Sequence, residues 1–261
     1  MIRINLISPG RPSIKPEISN CHWLTRLRAN ALSVLRTMRP QVAILEDRER
    51  KLAGTARAAL KDLVDQNAKF GRAIENNEDL AFLILHGLKL FINSYLRSAL
   101  EHSEYIRVAN LPFKQKLLVC AQVELEVARS VEEIIREEGG GFFTGAVARE
   151  AKGSLMVEVR ALEEEVASLQ QQADQMLLGI KTIEEQLREK DLQIMVGISQ
   201  LPDKNALRLT QESVELKIRS FTAQLDMLDF KGQKLMPKQQ RLSSLRMILK
   251  SIPELNEFTV N

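Results

Sequence analysis

Two ladders of apolar residues run through residues 155–249, and each ladder alternates steps of three and four. The outgoing ladder comprises Val159, Leu162, Val166, Leu169, Ala173, Met176, Ile180, Ile183, Leu187 and Ile194. The returning ladder comprises Leu207, Val214, Ile218, Phe221, Leu225, Leu228, Gly232, Leu235 and Leu242, with Gln211 and Gln239 as polar members. Because heptad spacing places all members on one side of a helix, the ladders predict two long helices joined by a turn at Gly197–Asn205.

The two ladders also align with each other. In an antiparallel hairpin the numbers of facing residues add to one constant, and Ile194 with Leu207 gives the same sum as Leu187 with Val214. This alignment predicts that the outgoing and returning ladders pack against each other. Pro237 lies inside the returning helix and lacks a backbone donor, so a kink or break is expected there.

Charge agrees with this alignment. It would place the glutamates at 163–165 beside Lys238 and Arg241, and opposite charges favour that register over others. The pattern predicts an antiparallel coiled coil which, at ~1.5 Å per residue, forms a projecting arm of about 50 Å. The alternatives are two separate helices in a globular bundle, or a parallel dimer through Val159–Leu187.

The composition favours long helices throughout, since 44% of the 261 residues are hydrophobic and 27% are charged, but only 5% are aromatic. The predicted fold class is all-α, with an N-terminal helical bundle and a long antiparallel coiled-coil hairpin. The predicted segments are an extended N-terminal arm (1–18), the bundle (19–138), a glycine-rich hinge (139–153), the hairpin (155–250) and a C-terminal tail (251–261).

Within the bundle, apolar spacing predicts helical residues on both sides of Pro40 as far as Phe70, as one helix bent at the proline or as two consecutive helices. Asn77, followed by two acidic residues, is typical of a helix start. That helix is expected to reach Val108 and to be the most buried, since its first half is apolar nearly all round. Pro112 begins a further helix.

A basic surface is expected on the first helix, at Arg26, Arg28, Arg36 and Arg39. The glutamates that crowd the end of the helix after Pro112 lie where the helix dipole disfavours negative charge, so they are expected to face a basic surface. The arginines are also compatible with nucleic-acid binding, but no recognisable nucleic-acid-binding motif accompanies them.

Two groups of apolar residues are candidates for contact with a partner. Val196, Ile198 and Leu201 fall at the hairpin tip, where a short turn offers little core of its own. Phe142 and Phe143 follow the glycines of the hinge. The alternatives are that the tip residues cap the coiled coil and that the two phenylalanines fold back onto the bundle.

No motif for catalysis, nucleotide binding or metal binding occurs in the sequence. The three histidines are scattered, and the Cys21–His22 pair lacks a supporting acid. We therefore expect no catalytic, cofactor-binding or metal-ligating residue, no cofactor and no small-molecule substrate. The longest apolar segment, Leu80–Ile92, is shorter than the ~20 residues that cross a membrane, which predicts a soluble, cytoplasmic protein.

These features predict a non-enzymatic structural, adaptor or assembly protein that acts through helical protein–protein contacts. The expected partner is a protein, and a second copy of the chain is one candidate. The main alternative is a peripheral membrane-surface protein that uses the basic N-terminal helix together with Phe142 and Phe143. Association with nucleic acid is the less favoured alternative, and it would require a steep salt dependence of binding.

Overall fold

The computed structural model describes residues 15–87, 89–90, 113–138, 144–198 and 203–252. Of these residues 96% are helical and none lies in a strand, and a long helical hairpin is present. The predicted all-α class is therefore confirmed.

Five α-helices have described bounds. They are α1 (Lys15–Glu75), α2 (Phe113–Glu137), α3 (Gly145–Ile198), α4 (Lys204–Phe230) and α5 (Met236–Ser251). A π-helical segment, Lys231–Leu235, joins α4 to α5. Residues 80–87 and 89–90 are also helical, and we call them the 80–90 helix.

Helix α1 is continuous through Pro40 for 61 residues, which selects the single-helix alternative. Pro40 is exposed to solvent, so water can hydrate the backbone carbonyl that loses its intrahelical donor. The helix begins at Lys15, so the last four residues of the predicted arm, 15–18, are helical rather than extended. Similarly, residues 145–153 of the predicted hinge form the start of α3.

The chain divides into two compact units, and each draws on both halves of the sequence. Unit 1 contains α1 as far as Arg39, α2 from Lys116, α3 as far as Glu163 and α5 from Gln240. Unit 2 contains the remaining parts of α1 and α3, with the 80–90 helix, α4, the π-segment and the start of α5. This division does not follow the predicted boundary between bundle and hairpin, because the hairpin helices pack with α1 inside each unit.

In unit 1, α1 packs on α2 through a small apolar cluster that contains Ala31, Leu35 and Ala121. Beside this cluster, Arg28 Nη1 lies 2.8 Å from Glu132 Oε1. The predicted basic surface on α1 therefore meets one of the glutamates at the end of α2.

Polar contacts of α5 complete this unit. Ser244 Oγ lies 2.9 Å from Cys120 Sγ of α2, and it donates to the Gln240 carbonyl oxygen at 2.8 Å. Trp23 Nε1 of α1 donates to Ser251 Oγ at 3.4 Å. Helix α5 thus contacts both α1 and α2 within unit 1.

In unit 2, the returning ladder packs against α1, a partner that the apolar spacing did not predict. Leu207 and Val214 of α4 share one buried cluster with Leu63 and Phe70 of α1. Farther along α4, Leu225 packs against alanines 53 and 56 of α1. The returning ladder was expected to pack against the outgoing ladder, whereas these three members lie in clusters with α1.

Gly71 of α1 lies directly against a side chain of α4. A Cβ atom added at Gly71 would lie 2.3 Å from Gln211 Nε2, which is closer than atoms approach one another. Gln211 is a polar member of the returning ladder, and its position confirms that this side of α4 faces α1.

The outgoing ladder is buried or half-buried along its whole length. Its most buried members are Val159, Leu162, Ala173, Ile180 and Ile194, each 7% exposed or less. The predicted attraction between the acidic start of the hairpin and Lys238 is also present, because Lys238 Nζ lies 3.0 Å from Glu165 Oε2.

The disturbance predicted at Pro237 occurs just before it. The N–H of Met236 donates to the Lys231 carbonyl, five residues back, instead of to the usual fourth residue. A proline in a regular α-helix would clash with the carbonyl four residues earlier. The wider π-turn lies where Pro237 requires that adjustment.

Candidate interaction surface

The turn at residues 76–79 sets the 80–90 helix against α1. Asn77 has a φ of 57°, a left-handed conformation that asparagine tolerates better than most residues. The N–H of Glu78 donates to the Ala73 carbonyl and that of Asn77 to the Ile74 carbonyl, each at 3.2 Å. These two bonds make a Schellman helix end, so Asn77 ends α1 rather than beginning the next helix.

Asp79 begins the 80–90 helix instead. Its Oδ1 atom accepts from the N–H of Ala81 at 2.9 Å, and its carbonyl accepts from the N–H of Leu83 at 2.9 Å. From α4, Lys204 Nζ donates to Asn77 Oδ1. Because α1, α4 and its own cap all hold this turn, the orientation of the helix that follows is well defined.

The inner face of the 80–90 helix is closely packed on Phe70. Leu83, Leu90 and Phe70 are each 2% exposed or less and lie in one cluster. A Cβ atom added at Gly87 would lie 2.9 Å from Phe70 Cζ. The helix therefore approaches α1 as closely as it does only because residue 87 has no side chain.

The outer face of the same helix carries large apolar side chains in solvent. Phe82 is 53% exposed and Leu85 is 68% exposed, and Lys89 is also exposed. At 100° per residue these three residues lie within about 60° of one another around the helix axis. We call this surface, formed by Phe82, Leu85 and Lys89, the 82–89 face.

A ring stack supports the 82–89 face from beneath. His86 is half-buried, and its ring centroid lies 5.9 Å from that of Phe70 and 5.8 Å from that of Phe82. The Phe82 ring is stacked on His86 at an interplanar angle of 13°. The exposed phenylalanine is therefore positioned by the core rather than left to rotate freely. The described part of the helix expected to be the most buried is thus buried on one face only.

Two other strongly exposed apolar side chains have mainly polar surroundings on their own helices. Ile44 of α1 is 70% exposed and Leu178 of α3 is 65% exposed. Their neighbours one helical turn away are charged or polar residues, apart from Pro40 beside Ile44. The 82–89 face differs because Phe82 and Leu85 are neighbours at the i, i+3 spacing, which makes a pair of adjacent anchors.

A second polar feature of unit 2 lies where α3 meets α4. Ser213 Oγ donates to Asp191 Oδ1 at 2.6 Å, and Lys217 Nζ lies 3.6 Å from the same oxygen. Burial lowers the pKa of Lys217 below its ordinary value, and the Asp191 carboxylate acts in the opposite direction. Lysines with a lowered pKa occur in active sites. Here Lys217 is only 4% exposed and Ser213 is fully buried, so neither offers a surface to a substrate.

The polar contacts between α3 and α4 also measure the register of the hairpin. The predicted alignment would set Asp191 opposite Thr210, yet its partner Ser213 lies three positions farther along. The same alignment would set Glu184 opposite Lys217, yet Glu184 accepts from Gln224 Nε2 at 3.0 Å, seven positions farther along. The returning helix is therefore displaced from the predicted register at these two contacts.

A cavity of about 360 Å³ lies in unit 1, between α2 and α3. Arg241 lines it and donates to Glu158 Oε1 at 2.8 Å and to Glu126 Oε2 at 2.6 Å. Burial disfavours the charged guanidinium, but its hydrogen bonds to the two glutamates raise the pKa of Arg241 above its ordinary value. The charges within this cluster are already satisfied by one another, which is typical of a structural network.

The residues predicted as sites have different outcomes. The four arginines of the predicted basic surface are exposed on α1, and only Arg28 has a described ion pair. Phe142, Phe143 and Leu201 lie outside the described residues, as do the side chains of Val196 and Ile198 at the end of α3. Of the predicted site residues, only the four arginines therefore have described side chains.

Among the described residues, no cluster of three or more histidine, cysteine, aspartate or glutamate side chains is arranged to hold a metal ion. No described helix is both long and apolar enough to cross a membrane.

Comparison with known proteins gives no family. The chain matches no protein family model, no curated protein and no solved structure.

Proposed function

We propose that this chain is a non-enzymatic structural, adaptor or assembly protein that acts through helical protein–protein contacts. The 82–89 face is its principal contact surface. In this proposal the protein works in the cytoplasm, and its long hairpin is a coiled-coil element that stiffens the molecule.

The 82–89 face carries this proposal. Isolated apolar residues are ordinary on a protein surface, whereas adjacent large ones mark a contact site more often. Phe82 and Leu85 have the i, i+3 spacing with which helices engage a hydrophobic partner. The stack on His86 holds Phe82 in place before binding, which lowers the entropy lost when a partner arrives.

The buried polar groups support a non-enzymatic role. Lys217 and Ser213 are the described side chains that most resemble reactive groups, and both are closed off between helices. A reactive group has to reach its substrate at hydrogen-bonding distance. The Asp191–Ser213–Lys217 cluster is better suited to fixing how α3 and α4 pair.

Affinity capture with paired variants tests the proposal. The double variant Phe82→Ser/Leu85→Ser removes the apolar anchors, and Ile44→Ser is the control, because Ile44 is as exposed as Leu85 but has only Pro40 as an apolar neighbour one turn away. The double variant should lose associated protein, including tagged copies of itself, and the control should retain it. Both variants should keep the helical circular dichroism and melting temperature of the wild type.

The opposite pattern would refute the proposal. If Phe82→Ser/Leu85→Ser retains every associated protein at wild-type yield, the 82–89 face is not a contact surface. If Ile44→Ser loses the same proteins as the double variant, the effect does not belong to this face.

A further inference from the structure

We propose that the 82–89 face binds the same face of a second copy of this chain, with the two helices antiparallel. This inference rests on the proposed function, since it names the partner of the proposed contact surface. Self-complementarity of the face carries it.

The apolar anchors match under a two-fold axis. When two copies of one helix cross antiparallel about a point midway between residues 83 and 84, Phe82 of each copy lies opposite Leu85 of the other. Each large exposed side chain thus meets the other large one. An isologous interface requires this kind of pairing of a surface with itself.

The charges match under the same operation. Glu78, in the turn just before the helix, comes opposite Lys89 in the last described turn of the helix, and this occurs twice in the dimer. Both side chains are exposed, and neither has an ion pair with another described residue in this part of the chain. A parallel arrangement would place Lys89 opposite Lys89 and Glu78 opposite Glu78, so like charges would oppose it.

A different protein would need to supply the same pattern of apolar and charged groups, in reverse order. A second copy supplies it without further assumption. The helix on which the face lies is held by the Asn77 turn and by Phe70, so both copies present it in the same conformation.

Sedimentation equilibrium of the purified full chain over a wide range of concentration tests the inference. The wild type should pass from monomer to dimer. Leu85→Ser should weaken dimer formation by about tenfold or more, because the lost contact occurs twice in a two-fold interface. Ile44→Ser should leave the dissociation constant unchanged.

Charge reversal tests the antiparallel geometry, at low ionic strength where exposed charges are less screened. Glu78→Lys alone and Lys89→Glu alone should each weaken self-association, because each brings like charges together at both ends. An equimolar mixture of the two single variants should associate again, since opposite charges then meet at both ends. The double variant Glu78→Lys/Lys89→Glu should also self-associate.

Three results would overturn the inference. A wild type that stays monomeric at every concentration excludes self-association, and if capture still depends on Phe82 and Leu85 the proposed function stands with a different protein as partner. A dimer unaffected by Leu85→Ser uses another surface. Single charge variants that dimerise as the wild type does, or a mixture that fails to recover, exclude the antiparallel pairing.

Discussion

Replacing Lys217 with methionine should stabilise the protein. Lys217 is 4% exposed, and its Nζ atom lies 3.6 Å from Asp191 Oδ1, farther than the ~2.8 Å of a good charge-assisted hydrogen bond. Burial, which disfavours the charged ammonium, is the largest influence on its pKa. The environment of Lys217 therefore opposes its charge more than Asp191 supports it.

The expected gain follows from what Lys217→Met leaves behind. Replacing a buried ion pair by apolar side chains is often neutral or stabilising, by ~1–4 kcal/mol. Here Asp191 remains, but its side chain is 37% exposed and it keeps the 2.6 Å hydrogen bond from Ser213. Since water and Ser213 can satisfy the carboxylate, we expect a gain of about 1 kcal/mol, or a rise in Tm of about 2–4 °C.

The pH dependence of this gain has a definite sign. The pKa of Lys217 in the folded protein is below the ordinary value of 10.5, so between these two pKa values the unfolded chain binds more protons than the folded one. The free energy of unfolding of the wild type should therefore rise with pH across that interval. The advantage of Lys217→Met should be largest below the folded pKa and should shrink as the pH approaches 10.5.

Urea unfolding of both proteins at a series of pH values measures the difference. Lys190→Met is the matched control, because Lys190 also joins α3 to α4, with its Nζ atom 2.5 Å from Glu212 Oε2, but its side chain is 29% exposed. That variant should change stability by no more than about 0.5 kcal/mol. A loss of more than about 1 kcal/mol in Lys217→Met, with no pH dependence of the difference, would mean that the ion pair is favourable and that the reasoning is wrong.

Three further predictions concern packing and charge. Gly87→Ala should destabilise the protein by about 1–2 kcal/mol, because the added methyl group meets the buried Phe70 ring. The control Gly54→Ala, with no atom within 4 Å of the new Cβ, should stabilise the protein by about 0.5–1 kcal/mol. The denaturant midpoints of the two variants measure this difference. Ile183→Asp should lower Tm and helicity by introducing a charge into the half-buried outgoing ladder, and an unchanged melting curve would show that this position is not part of a core. Burial and neighbouring carboxylates raise the pKa of Glu49 above 4.5 in the folded protein. The wild type should therefore lose stability as the pH rises from 4.5 through this raised pKa. Glu49→Gln should raise Tm at neutral pH but not at a pH below 4.5.

Long helices were predictable from this sequence because their signal is local and repeated. The outgoing ladder recurs over five heptads, and every member of it is buried or half-buried in the structure. The contact between Lys238 and Glu165 was predictable for the same reason, since charge and spacing agreed. Asn77 was misassigned because asparagine favours both helix starts and the left-handed residue at a helix end, and only the backbone hydrogen bonds distinguish them.

The candidate contact surface was not predictable in the same way. The segment around Phe82 and Leu85 is apolar nearly all round, and such a pattern is typical of a helix buried on every side. One signal was available in the sequence. Lys89 lies on the same side as Phe82 and Leu85, whereas Leu83, Gly87 and Leu90 lie on the other side, so a helical projection separates a face with a charge from a face without one.

The division of the chain into units could not be read from the ladders, because a heptad pattern shows that a face is buried but not which helix covers it. Leu207 and Val214 satisfy the pattern equally well against α1 or against α3. Gly71, which lies against Gln211 of α4, was a weak signal of this contact, since a glycine inside a helix weakens it and is more often kept where another element comes close.

The second buried side of α4 escaped prediction for a different physical reason. Ser213, Lys217 and Ser220 are 4% exposed or less, yet they are polar, so an analysis based on apolar periodicity places them in solvent. Small serines let α3 approach. Ser213 donates to Asp191 of α3, and Ser220 accepts from Gln224 of its own helix, whose side chain also donates to Glu184 of α3. Such contacts have strict geometry, whereas leucines tolerate a slip of one turn with little loss. The buried polar side of α4 therefore fixes the register of the hairpin, and the displacement of its contacts from the predicted alignment follows from hydrogen bonds that apolar spacing cannot encode.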